Sequence, residues 1–194
     1  MTEAEFIDGI KARCKELGVR LYLGKGKTIR CGSSKVSGYF DDTNRVLAVA
    51  TGRKDWVEIL SHESSHMDQW HEGCDEWKKL GGSCVVFDEW LEGKEMPKHL
   101  VRKHAMAILK LELDCERRSI KKLRASGLRI DLDRYIRKAN SYLFLYHWLL
   151  VTRKWPKKFP YSNPKIYGLC SNRFLKDYST PPKRLMEEFR KRGV

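Results

Sequence analysis

The chain lacks any apolar run long enough to cross a bilayer. Its longest, residues 142–151, is interrupted by His147 and reaches about half of the roughly 20 residues that a spanning helix needs. It also lacks cysteines at CxxC spacing. The six cysteines, at 14, 31, 74, 84, 115 and 170, are scattered, a pattern of free thiols rather than a disulfide framework. The first residues carry acids at 3, 5 and 8 and no long apolar core, which argues against a secretory signal. The expected setting is therefore cytoplasmic (host cytoplasm or virion for a phage-encoded chain), with no membrane partner. No internal repeat, low-complexity tract or recognised DNA-binding motif is present. Gly24 and Gly26 stand in a Gly- and Lys-rich stretch without the rest of a phosphate-binding loop.

Acidic residues are scarce in one half only. Residues 1–100 carry 15 Lys/Arg against 17 Asp/Glu, whereas residues 101–194 carry 24 against 8, so the net charge of +14 belongs to the second half. Such asymmetry suggests a positive surface facing an anionic partner. Arg134, Arg137, Lys138, Arg153, Lys154, Lys157 and Lys158 alternate there with Tyr135, Tyr142, Trp155, Phe159 and Tyr161. Basic and aromatic residues together suit phosphate contact and base stacking, which makes a nucleic acid a candidate partner.

With 194 residues and 41% hydrophobic content, the chain is long enough for one core plus an appendage. Residues 2–17 read as an amphipathic helix and residues 19–23 as a first strand, followed by a loop over 24–34. Residues 36–40 and 46–50 flank the turn-forming Asp41-Asp42-Thr43-Asn44, a hairpin signal. An acidic, loop-rich stretch follows Gly73, with a short apolar piece at 84–91. Pro97 precedes a long helical pattern over 99–125. Asp131 or Asp133 caps another helix reaching about residue 152, and a last short helix spans 182–192.

Between the hairpin and Gly73 lies WVEILSHESSHMDQW, residues 56–70, free of Pro and Gly and apolar at helical spacing. Inside it, His62-Glu63-Ser64-Ser65-His66 is an HExxH pattern. Residues four apart share a helix face, so the two imidazoles can hold one zinc ion. Glu63 is then placed to take the proton of a zinc-activated water. A catalytic zinc usually takes a third protein ligand. Glu72 stands at metzincin spacing, but Gln69 occupies the place of the required helix-breaking Gly. His71 points to another face, Cys31 lacks a matching context, and His71, Cys74 and Cys84 fit no common structural metal site. The best candidate is Glu112, a carboxylate in an apolar helical stretch, with Glu116 one turn later accepting a hydrogen bond from a ligand imidazole.

HExxH followed by E-x-x-x-E on a later helix resembles the gluzincin clan of zinc metallopeptidases, most of all its minigluzincin, ImmA/IrrE-like and SprT-like members. The resemblance implies an α+β fold: a small zincin-like domain, a short antiparallel sheet or hairpin packed on the HExxH helix, and a mostly helical basic C-terminal half. It implies a metallopeptidase core over residues 1–125 and a basic, aromatic-rich helical extension, 126–194, packed on it. The third ligand stays open among Glu112, Asp114 and Glu116. The strand before the active helix, residues 47–50, would be the edge that takes an extended peptide, and Tyr142, Tyr146 or His147 would steady the oxyanion. Zn2+ and a protein or peptide substrate, including nucleic-acid-associated proteins, are the implied cofactor and partners. The competing reading is a non-enzymatic, zinc-stabilised nucleic-acid-binding or phage structural protein.

Overall fold

The computed structural model describes residues 2–194, in which an α+β arrangement combines eight α-helices with a three-stranded mixed sheet and a separate two-stranded hairpin. Two compact units emerge, and both are discontinuous in sequence. One comprises the chain up to Cys74 with Cys115–Ile130, the other Asp75–Asp114 with Asp131–Val194. The expected linear cut after residue 125 differs from this division, which takes residues 75–114 out of the first unit.

In the first unit, α1 (Glu3–Glu16) opens on a reciprocal cap: Thr2 Oγ1 accepts from the Glu5 amide at 3.2 Å, and the Glu5 carboxylate accepts from the Thr2 amide at 2.6 Å. It buries Phe6, Ile10 and Cys14. The sheet has the order β1-β5-β4, with β1 (Arg20–Gly24), β4 (Gly38–Asp41) and β5 (Val46–Ala50). β5 is antiparallel to β4, with Tyr39 opposite Ala48, and parallel to β1, with Leu21 opposite Leu47. The sheet is therefore mixed, not antiparallel throughout. β5 is central, which explains why all five of its residues are buried and why it reads as an unbroken apolar run. The stretch expected to be a loop contains the small hairpin of β2 (Ile29–Cys31) and β3 (Ser34–Val36).

Asp41 closes the β4–β5 turn, its two carboxylate oxygens accepting from the backbone and side-chain amides of Asn44, each at 2.8 Å. Helix α2 (Trp56–Glu72) follows and ends where Gly73 adopts a left-handed conformation, φ 55°. The C-terminal part of α5 (Lys98–Ser126) completes this unit.

The second unit contains α3 (Asp75–Leu80), α4 (Ser83–Leu91), the N-terminal part of α5, α6 (Leu132–Thr152), a 3-10 turn (Pro160–Ser162), α7 (Pro164–Tyr167) and α8 (Lys183–Arg192). The stretch after Gly73, expected to be loop-rich with a short apolar piece at 84–91, is thus mostly helical through α3 and α4. Asp131 is the cap of α6, accepting from the Arg134 amide at 2.9 Å. Phe87, Phe144 and Phe189 are essentially sealed at the centre of one apolar core, together with Leu143, Leu145 and Leu149 of α6. Among the described residues no helix is long and apolar enough to cross a membrane, and all six cysteines are free thiols.

Candidate metal centre

Helix α2 presents His62, Glu63 and His66, and the first unit fixes the orientation of both imidazoles. His66 Nδ1 lies 2.8 Å from Gln69 Oε1, one turn further along the same helix. His62 Nδ1 lies 3.2 Å from Oε1 of Glu116 on α5. A carboxylate or amide oxygen can only accept, so each Nδ1 carries the proton and Nε2 becomes the ligating nitrogen. The rings stand edge to face, with centroids 4.8 Å apart. Burial disfavours charge on His62, but the neighbouring Cys115 and Glu116 outweigh it and hold this imidazole well above its ordinary pKa.

Cys115 also belongs to this cluster. His62, His66 and Cys115 offer ligand atoms within 4.8 Å of one another. The Cys115 Sγ donates to the His62 carbonyl at 3.2 Å and lies 3.6 Å from His62 Nδ1, so the thiol shares the Nδ1 side of the ring with Glu116.

Behind the histidines the helices meet through hydroxyls. Ser61, Ser64, Ser65 and Ser119 are all fully buried. Ser64 and Ser65 both donate to the Ser61 carbonyl, at 3.0 and 2.8 Å, Ser61 donates to the Ser119 carbonyl at 3.1 Å, and the Ser65 and Ser119 hydroxyls are 3.1 Å apart. The two central residues of HExxH are thus the small polar contact that lets α5 lie close to α2. Lys122 extends the contact, its Nζ 2.9 Å from Ser64 Oγ and 2.7 Å from Asp68, which also pairs with Arg13 at 3.4 Å. Burial lowers the Lys122 pKa, and Asp68 opposes that shift.

On its sheet side, α2 lies against β4 at Gly38. A Cβ there would stand 2.6 Å from Ile59 Cγ2 and 2.9 Å from Glu63 Cγ, so only glycine admits the base so near the strand. β4 is an edge of the three-stranded sheet. The expected substrate edge, residues 47–50, is instead the central strand; its backbone is already paired on both sides, and the edge beside Glu63 is β4.

The remaining predicted residues fall in the second unit. Glu112 and Asp114 lie in the N-terminal part of α5. Tyr146 and Tyr142 place their hydroxyls 3.2 Å apart. Burial raises both phenols well above their ordinary pKa, and the Glu112 carboxylate adds to it, so both stay protonated donors. His147 points elsewhere: it is buried, with Nε2 2.7 Å from the Tyr178 carbonyl, the geometry of a core histidine satisfied by backbone. Burial lowers its pKa. Two of the seven nominated basic residues also serve the fold. Arg137 donates to the carbonyls of Gly168 and Cys170, and Arg153 to those of Trp90 and Lys94.

Gln69, Cys115 and Gly38 were missed from sequence. An acceptor three residues after the second histidine was a readable signal; Gly38 acts through a long-range contact that no local pattern carries. Comparisons with protein-family models, with curated proteins and with solved structures return no match.

Proposed function

We propose that the chain is a zinc-dependent metallopeptidase of gluzincin type, with His62 and His66 as two ligands and Glu63 as general base. The observation that carries this reading is the pair of Nδ1 hydrogen bonds, Glu116 on His62 and Gln69 on His66, at 3.2 and 2.8 Å. Both place the Nδ1 proton on a fixed acceptor and leave Nε2 as the ligating nitrogen, as a zinc-binding imidazole needs; on His62, whose charged form Cys115 and Glu116 favour, zinc would take the place of the Nε2 proton. Glu116, 3.2 Å from His62 Nδ1, would serve as the second acid of E-x-x-x-E that orients a ligand imidazole. By helical periodicity Glu112 precedes it by one turn, and it is the third ligand we assign; Cys115, on the Nδ1 side with Glu116, is the competitor.

Bound zinc would supply Lewis acidity, polarising the scissile carbonyl and acidifying a water. Glu63 takes that proton and hands it to the leaving amine. The position of Glu63 against Gly38 puts the base beside the backbone of an edge strand, where an extended peptide can pair.

Elemental analysis of the purified chain should find about one zinc per molecule. Glu63→Gln should keep the metal and lose hydrolysis of an unfolded protein by about 10²-fold or more. Glu112→Ala should lose the metal while Cys115→Ser retains it. The reverse outcome would replace Glu112 by Cys115, and a fully active Glu63→Gln would remove Glu63 as the base.

A further inference from the structure

Between Asp133 and Asp177 the sequence has no acidic residue and ten Lys or Arg. A stretch of that length without one carboxylate cannot balance its own charge locally. Arg137 and Arg153 spend their guanidinium groups on backbone carbonyls, but Lys154, Lys157, Lys158 and Lys165 are exposed. Three of these lysines surround Trp155, which is 45% exposed and one of few large hydrophobic residues so placed among the described residues.

The Trp155 ring is not loose. It lies 6.2 Å from Phe159, which stacks on Tyr161 at 5.2 Å with planes 22° apart, and Tyr161 meets Tyr142 edge to face at 5.9 Å. Phe159 packs on the apolar core of the second unit. The ladder therefore runs from half-buried tyrosines outward to an exposed indole that rests beside Phe159. Lys158 and Phe159 share the wall of a small cavity with Asn163 and Arg192, which keeps a second cation next to the ladder.

We infer that the segment around Trp155 in the second unit, with Lys154, Lys157 and Lys158, is a binding platform for single-stranded nucleic acid. Lysines meet phosphates without reading sequence, and an indole held by its neighbours offers a face to an unpaired base at little ordering cost. A duplex fits less well, because its bases are already stacked and residues 153–159, which carry Trp155 and the three lysines, form no helix or strand that could enter a groove. An anionic membrane fits less well too: α8 turns its apolar residues Leu185 and Phe189 into the core, leaving no apolar helix face to insert.

The test is fluorescence anisotropy of the full chain with a labelled oligothymidylate of about 20 nucleotides at about 50 mM salt. Saturable binding is expected, weakening linearly on a log–log plot against salt. Trp155→Ala should reduce affinity about tenfold, while Trp155→Phe stays within about threefold of the parent. Replacing Lys154, Lys157 and Lys158 together by Ala should lower the salt slope by about two. No binding at low salt, unchanged affinity in Trp155→Ala, equal affinity for a duplex of the same length, or binding to phosphatidylserine vesicles in preference to the oligonucleotide would each overturn the proposal. Binding is read without hydrolysis, so this outcome is independent of whether the chain cleaves peptides.

Discussion

Where α2 meets α5 in the first unit, buried serine hydroxyls and a half-buried lysine bridge the seam; where α6 enters the core of the second unit, phenylalanine rings and leucine side chains fill the space. Both helices carry a histidine bonded to a fixed acceptor, Glu116 for His62 and the Tyr178 carbonyl for His147. The difference lies in what surrounds the ring. His147 sits in a core whose apolar packing fixes it and lowers its pKa, whereas His62 faces a carboxylate and a thiol that favour its charged form. A helix that must aim two imidazoles outward has only its reverse side for packing. Small hydroxyls there hold it close while bonding their own backbone. At the α2–α5 seam polar contacts set orientation, whereas around α6 apolar packing does.

Perturbing each unit by its own logic sharpens this contrast. The largest expected effect is in the second unit, where Phe144→Ala should destabilise by about 3–5 kcal/mol, read by chemical denaturation. Enlarging the seam of the first unit, by Ser65→Leu, should cost about 1–3 kcal/mol through overpacking and should also release zinc, because His66 follows Ser65 directly. Gly38→Ala belongs to the same class: its methyl must push Ile59 or Glu63 aside, so hydrolysis should fall more than stability does.

Asp68→Ala should cost about 1–3 kcal/mol by leaving Lys122 partly buried without its carboxylate. Lys122→Met should cost less, and equal costs for the two would show that burial of the lysine is not the issue. The smallest effect is chemical. Burial pushes the Cys14 thiol up to about 11 and that of Cys170 to about 12, while Cys84 is exposed. Iodoacetamide at mildly alkaline pH should therefore label Cys84 quickly and leave Cys14 and Cys170 until the chain unfolds, as peptide mapping would show.

Much of the fold was legible where one local rule sufficed. Periodicity marked α1, α2, α5, α6 and α8, the Asp131 cap began α6, and Asp41–Asn44 announced the β4–β5 turn. The Lys- and Gly-rich stretch hid β2 and β3, because their pairing is short and their burial slight. Acidic residues after Gly73 disguised α3, and α4 is a short apolar run with Val85 exposed, so it shows no stripe at helical spacing. For the site, HExxH located α2 and the spacing of Glu116 put an acceptor in reach of His62. What could not be read was the order of strands. A run as apolar as residues 46–50 signals burial, but central and edge positions depend on β1, which is far away in sequence. Nothing local distinguished Cys115 from any other core cysteine, since its neighbour His62 lies 53 residues earlier.

The discontinuity of the first unit bears on how the protein is made. The ribosome delivers α1, the sheet and the HExxH helix first, but the strip of α5 that lies along Ser61 and Ser65 arrives only after some forty further residues have been made. Until then Ser61, Ser64 and Ser65 of α2 lack their α5 partners, and His62 waits for Glu116. The nascent chain therefore passes through an interval in which half of the histidine framework is synthesised but not yet oriented. A translational pause placed inside that interval would lengthen the vulnerable period, and one placed after the strip at 115–130 has emerged from the ribosome would not.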